Sequence, residues 1–121
     1  MSKTVLTVDD SATIRTMLHC ALEEAGFRVV QACDGVDGLE QLEHAAPDVI
    51  ITDINMPRLD GFGFIEQVRQ TTAHRRTPIL VLTTESDADR KARARTAGAT
   101  GWIVKPFDPA RLVDAIHRVS D

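Results

Sequence analysis

Short β-rich runs and longer helical patterns alternate five times along the chain. The runs are Thr4-Val5-Leu6-Thr7-Val8, Arg28-Val29-Val30-Gln31-Ala32, Val49-Ile50-Ile51-Thr52, Ile79-Leu80-Val81-Leu82 and Trp102-Ile103-Val104. Three of them are nearly all apolar, as strands are when both faces of a parallel sheet are covered. Between them, apolar residues recur at helical spacing. Ser11 is placed to cap the first helix, which carries Ile14, Met17, Leu18, Ala21, Leu22 and Ala25 and stops at Gly26. The second spans about Val36 to His44, with Leu39 and Leu42 inward and Pro47 beyond its end. The third begins near Gly61 and buries Phe64, Ile65 and Val68. The fourth, from about Asp87 to Ala97, is rich in alanine and weakly amphipathic, and Gly98 ends it. Asp108 caps the last, Pro109 opens it, and Leu112, Ile116 and Val119 share one face.

A βαβα alternation with short connections predicts a three-layer α/β sandwich, doubly wound around a five-stranded parallel sheet with right-handed crossovers. The length of 121 residues fits one domain over 1–121, with no appended output domain expected. Composition then removes whole classes. The formal charge of −4 lacks the basic footprint of a nucleic-acid binder and suits a soluble monomer. No apolar run approaches the roughly 20 residues that span a bilayer, and the amino terminus has no signal-peptide pattern. Cys20 and Cys33 form no CxxC pair, and Cys20 is expected to pack as a small hydrophobe within the first helix. The expectation is a reduced, cytoplasmic protein without membrane insertion.

The residues just beyond the strands are the informative ones. The first strand runs into Asp9-Asp10, the third into Asp53, the fourth into Thr83-Thr84 and the fifth into Lys105-Pro106. In an open parallel sheet the carboxyl ends of the strands share one edge, and ligands bind there. Taken alone, Asp9-Asp10-Ser11 is equally a helix amino terminus, and Lys105-Pro106 says little. Asp53 after a buried run is more telling, because a turn does not require an acid there. Three gathered carboxylates repel one another, a pair 4 Å apart by about 4 kcal/mol at an effective dielectric of 20. Either their pKa values rise or a cation joins them, and oxygen-only ligands favour a hard cation such as Mg²⁺. Beside a Lys and a Thr hydroxyl, such a site suits a phosphoryl group, and a carboxylate in it can be the nucleophile.

The chain resembles the receiver domain of two-component response regulators, most nearly the stand-alone CheY-like chemotaxis regulators. The resemblance rests on Val8-Asp9-Asp10-Ser11, Thr52-Asp53-Ile54-Asn55-Met56-Pro57, Asp60-Gly61, Leu82-Thr83-Thr84-Glu85, Ala97-Gly98-Ala99 and Val104-Lys105-Pro106-Phe107, in that order. It implies the flavodoxin/CheY-like (βα)5 fold with strand order 2-1-3-4-5, an order taken from the known CheY example. It also implies roles. Asp53 would accept a phosphoryl group from a phosphohistidine of a sensor histidine kinase of chemotaxis type. Asp10 and Asp53 would hold Mg²⁺ through carboxylates, Asn55 through its backbone carbonyl and Asp9 through water. Lys105 would pair with the phosphoryl oxygens and Thr83 would hydrogen-bond one of them. The Lys105-Pro106 bond is a cis candidate. Trp102 stands where an aromatic turns inward in the switch, though Tyr or Phe is more usual there, and Glu85 and Asn55 would influence hydrolysis.

The implied function is a phospho-switch, with self-phosphorylation and self-dephosphorylation as its only chemistry. The expected output target is the flagellar motor switch protein. The alternative is a phosphate sink or a relay to a phosphotransfer protein. A haloacid-dehalogenase-like phosphatase is a rival that wants a second acid two residues after the nucleophile, where Asn55 stands. A flavin module would meet repulsion from Asp9-Asp10, and no GxxxxGK[ST] loop supports nucleotide hydrolysis. Arg90, Lys91, Arg93 and Arg95 on the fourth helix form either a solvated face or a docking surface for an acidic segment. His19, His44, His74 and His117 have no metal or catalytic spacing and are expected to be exposed, while Pro57 to Gly61 forms a polar turn.

Overall fold

The computed structural model describes residues 2–120. Strands β1 (Thr4–Val8), β2 (Arg28–Ala32), β3 (Val49–Thr52), β4 (Ile79–Thr83) and β5 (Gly101–Val104) alternate with helices α1 (Ala12–Glu24), α2 (Gly35–Ala45), α3 (Gly61–Gln70), α4 (Ala88–Ala97) and α5 (Pro109–Ser120). A single 3-10 turn, Thr72–His74, follows α3. All pairings are parallel and the order is β2-β1-β3-β4-β5, as the resemblance implied. Of the three strands that read as apolar runs, β3 and β4 lie in the interior of the sheet, whereas β5 is an edge strand that is only partly buried. β3 and β4 are buried throughout, whereas the edge strand β2 buries only Ala32.

Alternation along each central strand divides the interior in two. Leu6, Val8, Ile50, Ile79 and Val81 face a layer containing Leu42, Phe64, Ile65, Val68 and Ala94, from α2, α3 and α4. Val5, Val49, Ile51, Leu80 and Leu82 face Leu18, Leu22, Leu112 and Ile116, from α1 and α5. Period-2 strands between period-3.6 stripes give the three layers directly. Each helix starts on a short oxygen-bearing side chain, which takes one of the amide hydrogens that the first turn leaves unpaired. Ser11 accepts from the Ile14 amide at 3.2 Å, Asp34 from Asp37 at 2.8 Å, Asp60 from Gly63 at 2.9 Å, Asp87 from Arg90 at 2.8 Å and Asp108 from Ala110 at 2.9 Å.

Arg69 joins elements distant in sequence. Its guanidinium donates to the carbonyls of Gly98 (2.8 and 3.0 Å), His74 (3.0 Å) and Thr77 (2.7 Å), tying the end of α3 to the end of α4. At the amino-terminal edge of the sheet, Lys3 Nζ donates to the carbonyl and hydroxyl of Ser120, at 3.1 and 3.0 Å. No helix among the described residues is long and apolar enough to cross a membrane.

Two expectations need correction. Cys20 and Met17 are exposed, Met17 by 47%, because α1 buries a narrow stripe through Leu18 and Leu22 and these two residues lie outside it. His74 is buried rather than exposed, because the 3-10 turn carries its ring inward, where Nδ1 lies 3.0 Å from Thr77 Oγ1. Burial lowers its pKa from the ordinary 6.5, since an imidazolium there would lose its water.

Candidate functional site

Parallel register carries the strand-end residues to one edge. The Asp53 amide donates to the Val8 carbonyl at 2.9 Å, the Asp9 amide to Ala32 at 3.1 Å and the Lys105 amide to Thr83 at 2.8 Å. Each strand thus hands on its ladder to the residue with the chemistry. Carboxylate oxygens of Asp9, Asp10 and Asp53 come within 4.8 Å of one another, Asp9 and Asp53 buried and Asp10 exposed. Lys105 Nζ lies between the two buried acids, 2.8 Å from Asp9 Oδ2 and 2.7 Å from Asp53 Oδ2.

Backbone and side-chain bonds hold the acids in place. Asp53 Oδ1 accepts from the Ile54 amide at 2.6 Å and Asp9 Oδ1 from Ser11 at 2.9 Å. Arg15, which the sequence did not mark, donates to the Asp9 carbonyl at 2.6 Å. Burial raises the Asp9 carboxyl above its ordinary 3.8, a shift that hydrogen bonds from Lys105 and Ser11 reduce without reversing. Burial alone would lower Lys105, but its bonds to Asp53 and Asp9 prevail and hold it above 10.5. The donor set is all oxygen, converges in one place and contains more negative charge than one ammonium neutralises. It therefore fits a small hard cation such as Mg²⁺.

The mouth of the site is linked to α4 through Glu85. Its carboxylate accepts from Asn55 Nδ2 at 3.2 Å and from Arg90 Nη1 at 2.8 Å. Its amide donates to the fully buried Thr83 hydroxyl at 3.4 Å, and its carbonyl accepts from Trp102 Nε1 at 3.0 Å. Trp102 is half-buried on β5 beside a small cleft of about 80 Å³ shared with Lys91, Ala94 and Arg95. The Lys105-Pro106 bond is cis. Arg90, Lys91, Arg93 and Arg95 are exposed, although Arg93 covers the Phe62 ring at 4.1 Å. Asn55, at the position where the rival phosphatase needs an acid, is an exposed amide engaged with Glu85.

The parallel sheet thus carries an acid cluster and a lysine together at its carboxyl edge. A family model described as the response regulator receiver domain matches residues 5–117, and the chain belongs to that family. It is 44% identical to the chemotaxis protein CheY4 of Vibrio cholerae, with a TM-score of 0.95, over 98% of this chain and 99% of that one. It is 35% identical to the protein PilG of Pseudomonas aeruginosa over 93% of this chain and 83% of the relative. The receiver domain of a P. aeruginosa sensor histidine kinase, solved with magnesium in its active-site cleft, matches at 27% identity and a TM-score of 0.91, with all of both chains covered. Among the curated relatives are transcriptional regulators of which the chain spans about half the length, 44% of one and 51% of another. Receiver domains are signalling proteins that accept phosphate from histidine kinases and bind Mg²⁺ through an Asp cluster.

Proposed function

We propose that the chain is a chemotaxis-type phospho-switch in which Asp53 is the phosphoacceptor. The observation that carries this reading is the Asp53 carboxylate, buried at the sheet edge, 2.7 Å from Lys105 and beside Asp9 and Asp10. An Asp53 oxygen attacks phosphorus, the O–P bond forms, and the P–N bond to the kinase histidine breaks with its electron pair returning to the imidazole. Asp10 and Asp53 would hold Mg²⁺ through their carboxylates and Asn55 through its carbonyl, with Asp9 acting through water. Bound there, the cation supplies charge neutralisation of the phosphoryl oxygens. Lys105 is already placed to leave Asp53 for a phosphoryl oxygen.

Thr83 and Trp102 are the proposed switch. A Thr83 hydroxyl that turns to the phosphoryl group gives up the Glu85 amide, and Glu85 also holds the indole of Trp102. The message thus passes from Asp53 to the surface of α4, β5 and α5. The proposed partners are a chemotaxis-type sensor kinase and, as target, the flagellar motor switch protein, all in the cytoplasm. With Mg²⁺ and a small phosphodonor, wild type should gain one phosphoryl group by intact mass and Asp53→Ala none; equal modification of both would refute the assignment. The output is tested by Trp102 fluorescence during titration with the amino-terminal peptide of a flagellar switch protein. Tighter binding with a phosphoryl mimic supports the motor target, and no binding in either state, with the mimic confirmed bound, excludes it and favours a phosphate sink or relay.

A further inference from the structure

The turn from Pro57 to Gly61 lies shortly after the phosphoacceptor and contains an ion pair that the proposed function does not use. Arg58 donates to both oxygens of Asp34, Nε to Oδ2 at 2.7 Å and Nη2 to Oδ1 at 3.0 Å. The Asp34 side chain is 6% exposed, whereas that of Arg58 is 57% exposed. Asp34 lies in the β2–α2 connection, two residues after Ala32, so the pair flanks the same sheet edge as Asp9 and Asp53. Capping α2 needs only the Asp37 amide, from which Asp34 already accepts at 2.8 Å. The forked contact with Arg58 is additional, and a bidentate pair of this kind fixes geometry as well as adding energy.

What the fork fixes is the loop. Arg58 has φ 66°, a left-handed backbone that is strained for a non-glycine residue. Close by, the Gly35 amide donates to the Leu59 carbonyl at 3.2 Å. A Cβ on Gly35 would lie 2.5 Å from that oxygen. At the far end, the Gly61 amide donates to the Ile54 carbonyl at 2.8 Å, and a Cβ on Gly61 would collide with the Asp53 carbonyl. The segment between these anchors includes Asn55, whose carbonyl is the proposed third protein ligand of the cation. A backbone ligand has no rotamer with which to adjust, so its position is that of its loop.

We propose that Asp34 and Arg58 are positioning residues for the cation site, their forked ion pair holding the Asn55 loop in the path that binds Mg²⁺. This rests on the reading of Asp10, Asp53 and Asn55 as that site. The test is calorimetric Mg²⁺ titration of wild type, Arg58→Gln, Arg58→Gly, Asp34→Asn and the Asp34→Asn/Arg58→Gln double variant. Arg58 is exposed enough for its replacement to leave the chain folded, and Asn remains a competent helix cap. The expected result is a roughly tenfold weaker Kd in each single variant, the low end of the effect of removing a partner behind a metal ligand. The double variant should be no weaker than the worse single one. Raising Mg²⁺ tenfold should restore the phosphorylation rate. A Kd within twofold of wild type in Arg58→Gln, whatever happens to its Tm, overturns the proposal. So does wild-type affinity in Arg58→Gly, which accepts the backbone conformation without the guanidinium. Absence of Mg²⁺ binding in wild type would instead reject the cation-site reading, and the clamp with it.

Discussion

Lys105 bridges two acids of unlike surroundings, with side chains 2% exposed at Asp9 and 10% at Asp53. Removing one partner of a buried ion pair is costly because the other charges remain buried. Lys105→Met should therefore lower the stability of the metal-free protein by about 2–3 kcal/mol, discounted from the fully buried range because the site opens to solvent at Asp10. Urea unfolding in chelator should show the loss, and added Mg²⁺ should recover part of it. His74 gives a separate test. Its folded pKa lies below 6.5, so between the two values the unfolded chain binds more protons and stability falls as pH falls. The loss begins as pH passes down through about 6.5 and levels off once the folded ring also titrates. His74→Gln should remove this slope between about pH 7.5 and 5.5, measured as the shift in urea midpoint; an unchanged slope would place its origin elsewhere.

At the scale of elements, Arg69 is the joint between α3 and α4. Its replacement by Ala leaves carbonyls of Gly98, His74 and Thr77 without their donor, and hydrogen bonds to charged groups contribute about 1.5–3 kcal/mol each in favourable cases. Because water can reach part of this cluster, the expected destabilisation is about 3 kcal/mol in total, read by chemical unfolding. α4 has only Ala94 in the core, so it should lose amide-exchange protection before the other helices do. This is also where sequence reading succeeds and stops. The strands, the caps at Ser11 and Asp108, and the stop at Gly98 were legible because each is a local matter of period, side-chain oxygen or backbone freedom. The convergence of Asp9, Asp10, Asp53 and Lys105 was legible through topology, since a parallel sheet gathers its strand ends. Arg69, Arg15 and the Asp34–Arg58 fork were not, because a charged residue in a polar stretch carries no sign of which distant carbonyl or acid it will meet. Cys20 and Met17 misled for a related reason. Helical spacing identifies a stripe but not how wide a part of it the neighbouring layer covers.

For the whole molecule, a cation held by the acid cluster would couple folding to ligand binding. A cation that binds only the folded chain stabilises it by RT ln(1 + [L]/Kd), about 2.7 kcal/mol at a hundred times Kd. Mg²⁺ should raise Tm in wild type and leave Asp53→Ala nearly unmoved, because that variant lacks one of the three carboxylates. An equal rise in both would show that the ion acts elsewhere on a chain of net charge −4. The bond between Lys3 and Ser120 has a practical consequence of another kind. It brings the two ends of the described chain together at the amino-terminal edge of the sheet, the pole opposite Asp53. A tether attached near either end therefore leaves from the same pole. Immobilised on a sensor surface through one end or the other, the protein should present the same open mouth to a kinase in solution, and the two orientations should give superimposable association curves.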